Sequence, residues 1–305
     1  MIIEKVYNKD KEEAEQYASD LEARKRDAFR ISAAGQCPRR LSYQYLKVPG
    51  LPISPRGIRV LRDGTYRDMR LKEEMEKLFP DNISFADSDV TIEIKDSTPP
   101  IKLTGHIDHL FHDGSKYYIV EYKGMSDRSF ERAMRGEIDK VYQVQALLYS
   151  IALNVSDVIF IAERKETQHL VELHFSRENN TEVQTYFEDS ITIVRQRLNE
   201  SLWDEVKENY KRIINIKEIA EAKFLFPEPV NHLACDNCGG TGKKFYKNGE
   251  RKCNVCGGLG YHTGEIKLKY PCSYCPFVQY CYNAELRGGK WFLKQEVDSS
   301  QVSTN

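Results

Sequence analysis

Glu121 and Lys123, two positions apart in Glu121-Tyr122-Lys123, together with Asp108 upstream, are the residues of this chain best equipped for chemistry. Side chains alternate along a strand, so Glu121 and Lys123 share a face. The Asp113-Gly114 pair between two alternating runs is a hairpin signal. A two-residue turn there sets Asp108 opposite Ile119 and His106 opposite Glu121. Opposite residues share a face, so Asp108, Glu121, Lys123 and His106 are expected to converge. Carboxylates gathered on one face repel unless a cation lies between them, and their hard oxygens suit Mg²⁺ or Mn²⁺. A lysine beside them stabilises a charged phosphate or orients a water. These are the groups that metal-assisted phosphodiester hydrolysis uses. Glu-x-Lys alone is common on solvated sheet faces, so its context decides.

Cysteine is the second chemical signal. The chain has eight, and a reducing cytosol disfavours disulfides. Cys235, Cys238, Cys253 and Cys256 form two Cys-x-x-Cys-x-Gly-x-Gly units, a strong signal for a Zn²⁺ site. Cys272, Cys275 and Cys281 supply three more thiolates, and Cys37, far upstream, is the natural fourth ligand of a tetrahedral site. Spacing alone favours zinc there too.

The elements that must position these groups follow from periodicity. A charged, exposed helix is expected over 9–30, a second around 41–46, a Pro/Gly loop over 49–57 and a basic helix over 59–79. Alternation then predicts strands over 90–95, 101–111 and 116–123, a helix over 129–153, and strands over 158–162 and 170–175. Apolar residues every three or four positions, from Val183 through Phe187, Ile191, Val194, Leu198 and Leu202, predict a long helix over 181–223. Pro227 and Pro229 end it.

Gly105-His106-Ile107-Asp108, the hairpin, Glu121-Tyr122-Lys123 and a helix with Gln145 and Tyr149 on one face occur in that order. This combination resembles the RecB-like branch of the PD-(D/E)XK nuclease superfamily, whose GxxD, ExK and QxxxY motifs follow the same sequence. The resemblance covers residues 30–285. It implies that Asp108 and Glu121 bind the catalytic metal with the Tyr122 carbonyl, that Lys123 is the catalytic lysine, and that Gln145 and Tyr149 brace the site near DNA. Such nucleases usually carry a metal-binding histidine on the helix before the sheet. Here the helix reads Gly64-Thr65-Tyr66-Arg67-Asp68, which leaves Asp68 or His106 as the substitute ligand.

Ser32-Ala33-Ala34-Gly35-Gln36-Cys37-Pro38-Arg39-Arg40 and the C-terminal Cys272, Cys275 and Cys281 are similar to the cysteine motifs of the iron–sulfur members. These include the CRISPR-associated exonucleases and the nuclease domain of AddB. That resemblance implies a [4Fe–4S] cluster on Cys37, Cys272, Cys275 and Cys281. The Cys-x-x-Cys-x-Gly-x-Gly block is similar to the zinc region of DnaJ-type chaperones, but no His-Pro-Asp tripeptide of a J domain is present, which argues against a chaperone.

Composition narrows the partners. Forty-five basic and 46 acidic residues give a net charge of −1, which excludes nucleic-acid binding by bulk charge and leaves local stripes. Arg59, Arg62, Arg67 and Arg70 recur at helical spacing, and Lys243 and Lys244 lie beside Phe245 and Tyr246 between the knuckles. The first is an expected DNA contact, and the second either a DNA contact or part of a rigid staple that orders a loop. A P-loop reading of Gly242-Lys243 fails, because Asn237 and Lys244 occupy motif positions, so no nucleotide motor is expected. No apolar run suits a membrane span and the charged start does not suit a signal peptide, so a cytoplasmic protein is expected.

The expected architecture is α/β, a restriction-endonuclease-like PD-(D/E)XK core of mixed sheet flanked by helices, with a small zinc-binding insert. Its parts are a helical arm (1–31), the nuclease core (32–232), the zinc-knuckle insert (233–264), an iron–sulfur segment completing the nuclease domain (265–290) and a polar tail (291–305). The expected function is a DNA exonuclease or endonuclease acting on single strands or ends through a metal-activated water. Recombination, replication or CRISPR-adaptation proteins, or a phage genome, would supply the setting. The missing helix histidine motivates an alternative, a non-catalytic DNA-end-binding or scaffold protein keeping both cysteine sites.

Overall fold

The computed structural model describes residues 2–23, 29–84, 89–178, 184–188, 191–225, 243–246, 249–252, 265–266, 272, 275–282, 284–287 and 290–293. The expected zinc ligands Cys235, Cys238, Cys253 and Cys256, and the expected helix stop at Pro227 and Pro229, lie outside them.

In chain order the elements are α1 (Ile2–Ala23), β1 (Phe29–Arg30), a 3-10 turn (Ile31–Ala33), α2 (Pro38–Tyr45), α3 (Pro55–Leu78), β2 (Ile83–Ser84), β3 (Asp89–Ile94) and β4 (Ile101–His106). Then come β5 (His109–His112), β6 (Tyr117–Met125), α4 (Asp127–Met134), α5 (Lys140–Leu153), β7 (Asp157–Arg164), β8 (Leu170–Ser176), β9 (Gln184–Glu188) and β10 (Ile191–Arg197). The chain continues with α6 (Ser201–Ile213), α7 (Ile219–Leu225), β11 (Lys243–Tyr246), β12 (Gly249–Lys252), β13 (Glu265–Ile266), α8 (Val278–Tyr282), β14 (Ala284–Arg287) and β15 (Lys290–Leu293).

These elements form two units, Met1–Cys37 with Pro52–Arg212, and Pro38–Leu51 with Ile213–Asn305. The first is mixed α/β. Its larger sheet has the order β2-β5-β6-β7-β8-β10-β9, and its smaller one β1-β4-β3. Within the larger sheet β6–β7 and β8–β10 run parallel and the remaining pairs antiparallel. The helix α5 packs against β3 of one sheet and β7 of the other. It therefore buries residues around its whole circumference, including Val144, Ala146, Leu147, Leu148 and Tyr149, as a helix apolar on all sides must.

Local signals explain most boundaries. Ser54 accepts a hydrogen bond from the Gly57 N–H at 3.1 Å, and Pro55 follows at the first helical position. This cap starts α3 a turn before the expected 59. Gly136, at φ 77°, interrupts the helix expected over 129–153 and leaves α4 and α5. The strand expected over 101–111 divides at Ile107-Asp108, where the chain leaves the small sheet as β4 and joins the large one as β5.

The long helix expected over 181–223 is wrong. Residues 184–188 and 191–197 form an antiparallel strand pair, and helix resumes only at Ser201. Phe187, Ile191 and Val194 fit a helical spacing, but Thr185, Ile191, Thr192, Ile193 and Val194 are β-branched and fit a pleated surface better.

In the second unit α2 packs on α7, and Arg39 donates to the Lys223 carbonyl at 3.0 Å. Tyr43 is fully buried against the rings of Phe277 and Tyr280. The Leu51 N–H donates to the Pro276 carbonyl at 2.9 Å. The strand β15 pairs with β13 and β14 and takes in Trp291, Phe292 and Leu293, which the sequence assigns to a polar tail. Among the described residues, no helix is long and apolar enough to cross a membrane.

Candidate active site

In strand β6 Glu121 and Lys123 share one face and Tyr122 lies on the other, with both faces buried from Ile119 to Tyr122. Its partner β5 pairs His109 with Val120, Leu110 with Ile119 and His112 with Tyr117. One further step puts Asp108 opposite Glu121, not opposite Ile119 as the two-residue turn would have it. The turn is longer than expected because Asp113 organises it. Its Oδ1 accepts from the Ser115 N–H at 2.7 Å, the Ser115 hydroxyl at 2.7 Å and the Lys116 N–H at 2.9 Å. Gly114, at φ 96°, supplies the left-handed residue. The Ser115 hydroxyl and these backbone donors hold the Asp113 carboxyl far below its ordinary range. A register shift of two residues preserves the face, so Asp108 still meets the Glu121 side of β6.

Glu121 is 2 % exposed. Its Oε2 accepts from Lys123 Nζ at 2.9 Å and from Gln145 Nε2 of α5 at 2.9 Å. Its Oε1 is buried and has no hydrogen-bond partner among the described residues. Burial pushes the Glu121 carboxyl up to about 7, with Lys123 opposing and Asp108 reinforcing the shift. Burial works against the charge on Lys123, but Glu121 and Asp108 outweigh it and hold the ammonium above its ordinary pKa. Asp108 Oδ2 accepts the Tyr122 N–H at 2.8 Å, where β5 no longer lies along β6.

Asp68, on α3, lies within range of the Asp108 and Lys123 charges. Burial raises its carboxyl pKa and the neighbouring Asp108 charge raises it further, while Lys123 and Lys72 pull it down. His106 lies on β4 with its Nε2 3.1 Å from Asp89 Oδ1. Of the two substitute ligands that the sequence offers, Asp68 feels the Asp108 charge, whereas His106 is exposed and paired with Asp89. Tyr149 donates to the His106 carbonyl at 2.6 Å and so braces the end of β4 just before Asp108.

Sequence reasoning passed over one neighbour, His109. His109 follows Asp108 and is 1 % exposed, and burial holds its imidazole below the ordinary pKa despite the Asp108 charge. Its place in the hairpin beside Asp108 was the available signal.

Asp108 and Glu121 fit a hard divalent cation. They are oxygen donors on neighbouring segments, since the N–H of Tyr122, next to Glu121, donates to Asp108, and one buried Glu121 oxygen lacks a partner among the described residues. Among the described residues no group of three or more His, Cys, Asp or Glu side chains is gathered as around a metal ion.

The arginines expected to track phosphates are engaged within the protein. Arg59 and Arg62 hold Asp10 of α1, and Arg67 and Arg70 hold Glu163 of β7. Between the expected zinc knuckles, β11 and β12 pair Lys243 with Lys252 and Lys244 with Arg251.

Cys37 belongs to the first unit and is partly exposed. In the second, the Cys281 thiol lies 3.7 Å from the Tyr43 hydroxyl, and the Tyr282 hydroxyl donates to the Cys272 sulfur at 3.6 Å. Cys275 is partly exposed, and its N–H donates to the Cys272 carbonyl at 3.0 Å. Thiols are the right donors for a soft metal.

No protein-family model matches the chain, and no curated protein matches it significantly. Among solved structures it is similar to the crystal structure of SSO0001, with 14% sequence identity and a TM-score of 0.44, over 73% of this chain and 92% of that one.

Proposed function

We propose that this chain is a metal-dependent DNA nuclease of the PD-(D/E)XK type, acting on single strands or DNA ends. The observation that supports it best is Glu121, a buried carboxylate facing Asp108, with one oxygen held by Lys123 and Gln145 and the other without a partner. Lys123 offsets part of that buried charge, and a divalent cation on the second oxygen would offset more of it.

Asp108 and Glu121 would hold Mg²⁺ or Mn²⁺ with the Tyr122 carbonyl, and Asp68 is the added ligand. When bound, the ion polarises the phosphate and acidifies a water. Lys123 keeps its proton under the influence of Glu121 and Asp108 and offsets negative charge on the reacting phosphate. Gln145 fixes the Glu121 rotamer, and Tyr149 fixes the strand end that delivers Asp108. A [4Fe–4S] cluster and a Zn²⁺ ion, on the cysteines that the sequence resemblance assigns to them, belong to the same proposal as structural groups.

The test uses anaerobically purified protein, end-labelled single-stranded DNA and Mn²⁺. Degradation by the wild type and none by Asp108→Asn is the expected result. Tight DNA binding without degradation, in both Mn²⁺ and Mg²⁺, would favour an end-binding scaffold.

A further inference from the structure

Glu163 is fully buried, yet no part of the proposed cleavage chemistry uses it. It lies on β7, in register with Gly124 of β6, and its carboxylate is held by Arg67 and Arg70 of α3 and by the Tyr122 hydroxyl. Arg67 also donates to the Lys165 carbonyl at 3.2 Å and to Asp63 at 2.9 Å. A buried carboxylate between guanidiniums is a weak source of stability, because desolvation cancels most of the attraction. What it does supply is geometry, since a guanidinium fork accepts a carboxylate in few orientations.

That geometry bears on the neighbouring residue. Arg67 and Arg70 lie three apart on one face of α3, and Asp68 projects about 100° around the helix from Arg67. Clamping Arg67 and Arg70 to β7 therefore fixes both the rotation of α3 and its position along its axis. Tyr122, the third group on Glu163, lies between Glu121 and Lys123 in the chain, and its N–H binds Asp108. One buried carboxylate thus ties the helix carrying Asp68 to the strand carrying Glu121 and Lys123.

We propose that Glu163 is a positioning residue that seats Asp68 beside Asp108 and Glu121 as a cation ligand. The proposal rests on the reading of that cluster as a divalent-cation site.

A double-mutant cycle on Mn²⁺ affinity tests it, read by electron paramagnetic resonance of free Mn²⁺ with the full-length chain. Asp68→Ala and Glu163→Gln should each weaken Mn²⁺ binding about 10-fold, the scale seen when a group supporting a metal ligand is lost. The double variant should lose clearly less than the two single losses combined, because Glu163 acts at least in part through Asp68. Independent, additive losses would overturn the proposal, as would an unchanged affinity in either single variant. If Glu163→Gln does not fold, Arg70→Gln, which leaves Arg67 and Tyr122 on Glu163, enters the same cycle with the same expected non-additivity. A wild-type chain that binds no Mn²⁺ would remove the cation site itself and this proposal with it. Additive losses in a chain that binds Mn²⁺ would remove only the role of Glu163.

Discussion

Gln145 of α5 reaches Glu121 of β6 at 2.9 Å and takes the same carboxylate oxygen that Lys123 holds. The other oxygen is thereby left as the one available to a ligand. Gln145→Ala frees the carboxylate to rotate. We expect Mn²⁺ affinity to fall about 10-fold. The lost buried hydrogen bond should lower stability by about 1 kcal/mol. Mn²⁺ titration beside urea unfolding separates the two effects, and an unaltered Mn²⁺ affinity would mean that Gln145 does not orient Glu121.

Glu121 gives the site its pH dependence. Burial raises its carboxyl from 4.5 to about 7, and only the ionised form binds a cation. Mn²⁺ affinity should therefore rise about tenfold between pH 6 and pH 8, as the ionised fraction does for a group titrating near 7. The cation-free chain should show the opposite trend. A carboxyl whose pKa is raised on folding contributes stability that is complete below pH 4.5 and lost as pH climbs through about 7. Urea midpoints of the cation-free chain at pH 5 and pH 8 check the sign, and a higher midpoint at pH 8 would contradict the environment assigned to Glu121.

The carboxylate–lysine strand was legible because a period of two needs only local sequence. The register was not legible, since it depended on how many donors the Asp113 carboxylate would gather. An even shift kept Asp108 on the correct side, whereas a shift of one would have removed it. The strands at 184–197 were misread because Phe187, Ile191 and Val194 satisfy a helical spacing and a strand–turn–strand equally well. Glu163 was invisible, as its partners Arg67 and Arg70 are 96 and 93 residues away. Glu121–Gln145, by contrast, sits inside motifs whose order alone suggested that they meet.

Gly105 is required by close approach. A Cβ there would lie 2.8 Å from the Tyr149 hydroxyl and 3.0 Å from Tyr149 Cε1. Gly105→Ala should push Tyr149 off the His106 carbonyl and cost about 1–3 kcal/mol, the range for overpacking a core. Removing the hydroxyl relieves the nearest contact, so Gly105→Ala in a Tyr149→Phe background should cost less. Equal costs in the two backgrounds, read by urea unfolding, would show that Tyr149 is not what excludes a side chain.

The β11–β12 hairpin sets Lys244 and Arg251 at paired positions of its two strands. If the hairpin contacts single-stranded DNA through both, replacing both with Ala should lower the slope of log affinity against log salt by about 1.4, from about 0.7 per phosphate contact. Fluorescence anisotropy across a salt series measures it. An unchanged slope would assign the hairpin a purely structural role.

The central claim is that Lys123 acts on the phosphodiester while Asp108 and Glu121 hold the cation. The most direct test is the single-turnover cleavage rate of end-labelled single-stranded DNA by wild type and Lys123→Ala, with Mn²⁺ affinity measured on the same samples. The variant should still bind Mn²⁺ and cleave at least about 100-fold more slowly, the scale of losing one charged stabiliser of a transition state. Equal cleavage by both proteins, or no cleavage by a wild type that has bound Mn²⁺ and DNA, would contradict the account.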